Sequence, residues 1–393
     1  MTIDTQTLLT GFDVQPRIRL VFGVDRAAHI AQYVRDCGGA RVLLVTDPGI
    51  VKAGHAERIE HRLREEGIVV TRFDDVIENP TTTCVENCTE VARAANIDLI
   101  IGLGGGSSLD TAKGCNFLLT NGGRMQDYWG KGKAQHPMLP LIAIPTTAGT
   151  GSECQSFALI SDAETHAKMA CGDPKAAPRI SVLDPMLTLT QPPQVTALTG
   201  IDALTHATET AVCNQRTPYS WLYSREAFRL VQLCLPRVLA APDDLEARSG
   251  MLLGAAYAGT AIEASMLGAA HALANPLTAN HDVVHGQAVG MMLPHVVRYN
   301  GENQQTAGLY QELAAFAGLC PHDATPDLAV EALALRIESI LDQAGIPRTL
   351  AEAKIERPNL GRLAEQAAQQ WTGRFNPRSL QPTDFEDLYR RAS

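Results

Sequence analysis

The chain is poor in charge and poorer in aromatic side chains: 19% of its 393 residues are charged and 5% aromatic, against 45% hydrophobic. A segment too polar to bury a core would show the opposite balance, so wholesale disorder is excluded and more than one size-limited domain is expected. There is no basic excess. The formal net charge is -10, and a surface field of that sign repels phosphate backbones and anionic lipid, which argues against nucleic acid or membrane partners. The opening stretch, residues 1–16, lacks the basic start and apolar run of an export signal. The nine cysteines have no paired metal-type spacing, and their odd number does not suit a complete disulfide framework, so a reducing cytoplasm is expected. Cys84 and Cys88, four apart, suit helix packing better than metal binding. Long apolar runs are missing too. The most apolar stretch, 251–277, contains Glu263 and His271 and reads as an interior helix pair rather than a membrane span. No internal repeat is evident.

What is present is alternation. Short β-branched runs at 18–22, 42–46, 68–73, 98–101, 139–144, 157–161 and 180–183 are the expected strands. Amphipathic segments at 26–37, 53–66 and 84–95 lie between the first of them, the pattern of parallel strands joined by helices. After Asp184 the texture changes: Gln191-Pro192-Pro193-Gln194 predicts a rigid non-helical joint, and from Thr196 onward the periodicity is helical. The expected plan is an α/β dinucleotide-binding domain with a Rossmann-like parallel sheet over 1–190. An all-α metal-binding and catalytic domain follows over 191–393.

Two loops point to a nucleotide. Gly104, Gly105, Gly106 and Ser107 lead from a buried strand into a helix expected to start near Leu109, where free amides suit a pyrophosphate. Their spacing is not the usual GxGxxG, and a tight turn would also explain them. A second strand ends in Pro145-Thr146-Thr147-Ala148-Gly149-Thr150-Gly151-Ser152-Glu153, so two small-residue loops at strand carboxyl ends are expected to line one crevice. Asp47, which closes the strand at 42–46, suits either a ribose, favouring NAD over NADP, or a cap on the turn that follows.

Chemistry enters in the second half. Asp202 and His206, four apart, would share one helix face, and histidine recurs at 271, 281 and 285 in a largely apolar setting. Three imidazoles with one carboxylate make a divalent cation site. Taken with the glycine loop, Asp110 and Lys113, the Pro145–Glu153 segment, Gly200–Ala207, His271 through Gly286 and Leu293–Val296, the sequence resembles the iron-containing (group III) alcohol dehydrogenase family over nearly its whole length.

The resemblance implies metal ligation by Asp202, His206, His271 and His285. It implies NAD(P) contacts from Asp47, Gly104, Gly105, Gly106, Ser107, Thr146, Thr147, Thr150 and Lys168. It also implies a dehydroquinate synthase-like architecture with the cofactor in an interdomain cleft. The metal implied is iron(II), although these donors also accept zinc, manganese or cobalt. Homodimers or higher homo-oligomers, with 18–22 as a candidate contact, are implied as well. Where many members have a proton-relaying histidine four residues after the third ligand, this chain has Asn275, which cannot titrate. His281, where a tyrosine is common, becomes the candidate for proton exchange, with a hydrogen bond to a loop as its alternative role.

The expected reaction is hydride transfer between a small alcohol and NAD, with an aldehyde or ketone as the oxidised partner. Two other readings share parts of this plan. A non-redox sugar-phosphate cyclase related to dehydroquinate synthase would use NAD only transiently, and a dinucleotide-binding sensor would turn nothing over. The second gives no reason for four convergent ligands.

Overall fold

The computed structural model describes residues 11–281, 283–355 and 358–393. The polar opening up to residue 10 and Asp282 lie outside them.

The alternation resolves into a six-stranded, wholly parallel sheet. Its strands are β1 (Arg19–Phe22), β2 (Arg41–Val45), β3 (Val69–Phe73), β4 (Leu99–Gly104), β6 (Leu141–Pro145) and β9 (Ile180–Leu183). They lie in the order β1-β9-β6-β4-β2-β3. A parallel sheet carries helices on both faces, and its central strands therefore read as continuous apolar runs; β4, β6 and β9 are buried along their whole length. Period-two alternation divides β2 between the two cores. Val42 and Leu44 pack with Ile30, Val34, Ile59 and Leu63 on one side, and Leu43 and Val45 with Cys84, Cys88 and Cys115 on the other. Cys84 and Cys88 thus do what their spacing suggested, filling the core from the helix Thr82–Ala94.

A smaller sheet joins β5 (Gly130–Lys131), β8 (Lys168–Gly172) and β7 (Phe157–Ser161) in the order β5-β8-β7. Neither β5 nor β8 is foreseen by the sequence, since a two-residue strand and one containing Lys, Cys and Gly carry no β-branched signal.

After β9 the described residues contain helix and no further strand. The helix Pro193–Val212 starts within the expected proline joint, because proline's fixed φ and missing amide are tolerated in a first turn. Around it lie Pro218–Ala240, Leu245–Ala264, Ala269–His281 and His285–Gly301. Chain contacts separate two compact units: Gln15–Gln191, and Pro192–Ser393 together with residues 11–14, where the Phe12 ring lies 5.8 Å from that of Tyr219. No helix among the described residues is long and apolar enough to cross a membrane.

Candidate metal centre and dinucleotide loops

Pro193–Val212 is an unusual helix, buried without a break from Gly200 to Val212. On it Asp202, His206 and Glu209 follow at intervals of four and three, which places them on one face. His271 stands in the first turn of Ala269–His281, and His285 opens the next helix. That helix is held close by Gly286, where a Cβ would lie 2.3 Å from the carbonyl oxygen of Leu198.

Three imidazole nitrogens converge on a single carboxylate oxygen. Asp202 Oδ1 lies 3.3 Å from His206 Nε2, 3.5 Å from His271 Nε2 and 3.7 Å from His285 Nε2. The His206 and His271 rings stack at 4.9 Å, and His285 tilts against His271 at 5.4 Å. Donors about 2.1 Å from a common ion in a tetrahedral shell are about 3.4 Å apart, so the spacing is that of a ligand shell. Asp202, His271 and His285 form the tightest group, all within 4.8 Å of one another, and His206 joins through Asp202.

The electrostatics ask for a cation. Burial alone would raise the carboxyl of Asp202, but His206, His271 and His285 hold it below the usual carboxylate range. Burial would likewise lower His271, yet Glu209 and Asp202 push it up to about 9. Two buried carboxylates thus draw positive charge onto an imidazole, a place that a divalent ion can fill. Asp202 Oδ1 and His271 Nε2 are buried with no hydrogen bond. Donor type, spacing and unsatisfied lone pairs all fit a resident metal.

The two loops expected to bind a dinucleotide are built at the carboxyl ends of the paired strands β4 and β6. Gly104 has φ +146°, and a Cβ there would lie 2.4 Å from Ser108 Oγ and 3.0 Å from Asp47 Oδ2. At Gly106 it would lie 2.8 Å from Thr150, and at Gly105 3.3 Å from Thr147, so the threonine loop rests on a turn that only glycine allows. The helix that follows runs over Gly106–Asn121 and begins three residues earlier than expected, tertiary packing overriding the low propensity of Gly and Ser. No side chain caps it, which leaves first-turn amides for an anion.

Asp47 fulfils its capping alternative. Its Oδ1 accepts from the amides of Gly49 at 2.9 Å and Ile50 at 3.1 Å, while Oδ2 accepts from Ser108 Oγ at 3.1 Å beside Gly104. The cap fixes the carboxylate at the edge of the glycine turn. Thr146 is tied to Gly104 through its amide at 3.0 Å. Lys168 donates to Asn79 Oδ1 at 3.3 Å, and the Asn79 amide donates to Ser107 Oγ at 3.2 Å.

Three features escape the sequence reading. Asn79, at φ +51°, links Lys168 to Ser107, and the Asn-Pro step it opens is the local signal that marks a turn there. Glu209 meets His271, and its position one face-sharing step beyond His206 was the available clue. The third is a buried ionic knot: Lys113 Nζ donates to Ser152 O and Oγ, both at 2.7 Å, and to Phe157 O at 2.8 Å, while Ser152 Oγ donates to Asp110 at 2.6 Å. Burial raises the carboxyl of Asp110 despite Lys113, and raises that of the adjoining Glu153 to about 7.

His281 closes its helix, four residues before His285. It lies ten residues, about 15 Å of helix axis, from His271 on Ala269–His281. Asn275 donates to Gln370 Oε1 at 2.9 Å.

A model of iron-containing alcohol dehydrogenases matches residues 16–185, and one of the C-terminal part of that family matches 196–393. The chain belongs to the iron-containing alcohol dehydrogenase family. This enzyme is 35% identical over 366 residues to alcohol dehydrogenase 4 of Schizosaccharomyces pombe, covering 93% of this chain and 85% of that protein. It superposes on 1,3-propanediol oxidoreductase with a TM-score of 0.92 at 31% identity, over 98% of this chain and 100% of the other. Sulfoacetaldehyde reductase from Bifidobacterium kashiwanohense, in complex with NAD+, gives a TM-score of 0.88 at 28% identity, over 98% and 99% of the two chains. The Rossmann-like sheet followed by a helical part is the fold of these structures. The enzyme is a metal-dependent alcohol dehydrogenase, with iron and NAD(H) as the cofactors its family implies.

Proposed function

We propose that this dehydrogenase prefers NAD to NADP, and that Asp202, His206, His271 and His285 hold iron(II). The observation that carries the ligand assignment is the convergence of three imidazole Nε2 atoms within 3.7 Å of one carboxylate oxygen. When bound, such an ion supplies Lewis acidity to an alcohol or carbonyl oxygen. The residues present lone pairs at fixed places: His206 and His271 are locked by stacking, and Asp202 is held by the helix it shares with His206. The loop 104–107 with Thr146, Thr147, Thr150 and Lys168 holds the dinucleotide, and the carboxylate of Asp47, at the edge of the glycine turn, repels a 2'-phosphate.

The substrate class is a small alcohol and its aldehyde or ketone. His281 is assigned to proton exchange, since the amide of Asn275 cannot titrate; a turnover pH profile unmoved in His281→Ala removes that role. Leu20 and Phe22, exposed on the edge strand β1, are the proposed contact of a homodimer. A reducing cytoplasm is the compartment that its scattered cysteines suit.

The deciding experiment replaces His271 or His285 by Ala in protein loaded anaerobically with iron(II). Both variants are expected to lose metal retention and alcohol-dependent NADH formation. Undiminished turnover without bound metal refutes the assignment.

A further inference from the structure

Glu209 is buried on Pro193–Val212, and both of its oxygens are used. Oε1 accepts from the amide of Ala270 at 2.6 Å, and Oε2 lies 2.6 Å from His271 Nδ1. The chain just before His271 is pressed onto this carboxylate, since a Cβ on Gly268 would come within 3.0 Å of Oε1. From the other side Asn376 Oδ1 accepts from the amide of Ala269 at 3.4 Å, while Asn376 and Asn300 exchange hydrogen bonds of 2.8 and 3.0 Å. The start of Ala269–His281 is therefore tied at two successive amides.

The consequence is chemical as well as mechanical. An ionised carboxylate only accepts hydrogen bonds, so in the neutral imidazole that ligates a metal the one proton of His271 sits on Nδ1. That leaves the lone pair on Nε2, the atom that faces Asp202 Oδ1 at 3.5 Å. The opposite tautomer would aim an N–H at the place where the ligands meet. A carboxylate behind a ligating imidazole also raises its basicity and holds its ring plane.

We propose that Glu209 is the positioning residue of the metal centre, fixing the tautomer and ring orientation of His271 through Oε2 and its helix start through Oε1. This inference rests on the ligand assignment made above. Glu209→Gln keeps the shape and breaks the chemistry. If the amide oxygen faces Ala270, its NH2 faces Nδ1 and drives the proton to Nε2; if reversed, two N–H groups confront each other at Ala270.

The test titrates metal-free, full-length wild type, Glu209→Gln and Glu209→Asp with cobalt(II). Ligand-field absorption is followed in competition with a chromophoric chelator, and the metal-free forms are melted in parallel. Glu209→Gln is expected to bind cobalt about 10–100-fold more weakly with a changed spectrum, and Glu209→Asp, which keeps the acceptor, to recover part of the loss. Wild-type affinity and spectrum in Glu209→Gln overturn the inference while leaving the ligands standing, provided that His285→Ala loses cobalt. Failure of the wild type to bind cobalt overturns both. Should Glu209→Gln be unfolded at the assay temperature, Glu209→Asp decides alone: an intermediate affinity with an altered spectrum supports the role, and an unaltered site overturns it.

Discussion

Replacing Lys113 by Met removes an ammonium that is fully buried and whose three protons each meet an acceptor, at 2.7, 2.7 and 2.8 Å. Met fills most of the volume, so the change is chemical. Ser152 O and Phe157 O lose a donor, and Asp110, 3.8 Å from Nζ, keeps its carboxylate in the interior without the cation. Hydrogen bonds from a charged donor contribute roughly 1.5–3 kcal/mol each. Part of that sum only offsets the cost of burying the ammonium, which the variant no longer bears. Breaking one side of a buried ion pair typically costs about 3–5 kcal/mol. In a unit the size of Gln15–Gln191, each kcal/mol lowers the melting temperature by about 2–4 °C, so a fall of roughly 6–20 °C is expected. Because Ser152 follows directly on the threonine loop, NAD affinity should weaken as well. Thermal unfolding followed by circular dichroism, with an NAD titration well below the transition, measures both. The double variant Asp110→Asn/Lys113→Met removes the stranded charge and should regain part of the loss. A single variant that melts within 2 °C of wild type, or a double variant less stable than it, refutes the account of the knot.

Asp47→Gly removes both the cap and the charge beside Gly104, and should shift the ratio of specificity constants toward NADP by about tenfold or more, taking roughly 1.4 kcal/mol as the least that a lost charge contact is worth. An unchanged ratio takes Asp47 out of cofactor choice. Glu153 couples stability to pH: its folded value is raised to about 7 from an ordinary 4.5, so the folded state binds the extra proton between those values. Stability therefore falls as pH rises from 4.5 to 7, by about 3 kcal/mol in all, and is greatest on the acid side of this group's titration. Glu153→Gln should flatten that slope in denaturant titrations at pH 5 and pH 8; an identical slope in both proteins contradicts the burial argument.

The residue order by itself fixed the parallel α/β plan of the first half, because β-branched runs spaced by amphipathic segments have few other ways to bury both faces of a sheet. It also fixed the helical second half, and the spacing of Asp202 and His206 placed both on one helix face. Glycines and threonines at two strand ends were legible for the same reason: only small residues permit two loops to touch where Gly106 meets Thr150. Tertiary structure alone decided what crosses long stretches of chain. It brought His271 and His285 to Asp202, joined Lys113 to the Ser152–Phe157 stretch, and set Glu209 behind His271, 62 positions away. It also gave Asp47 two neighbours at once, the amides of Gly49 and Ile50 that it caps and Ser108 beside the glycine turn, 61 positions away. Local periodicity reports which face of an element is buried; which polar atoms then meet is set by the packing of whole elements, and that information is nowhere local.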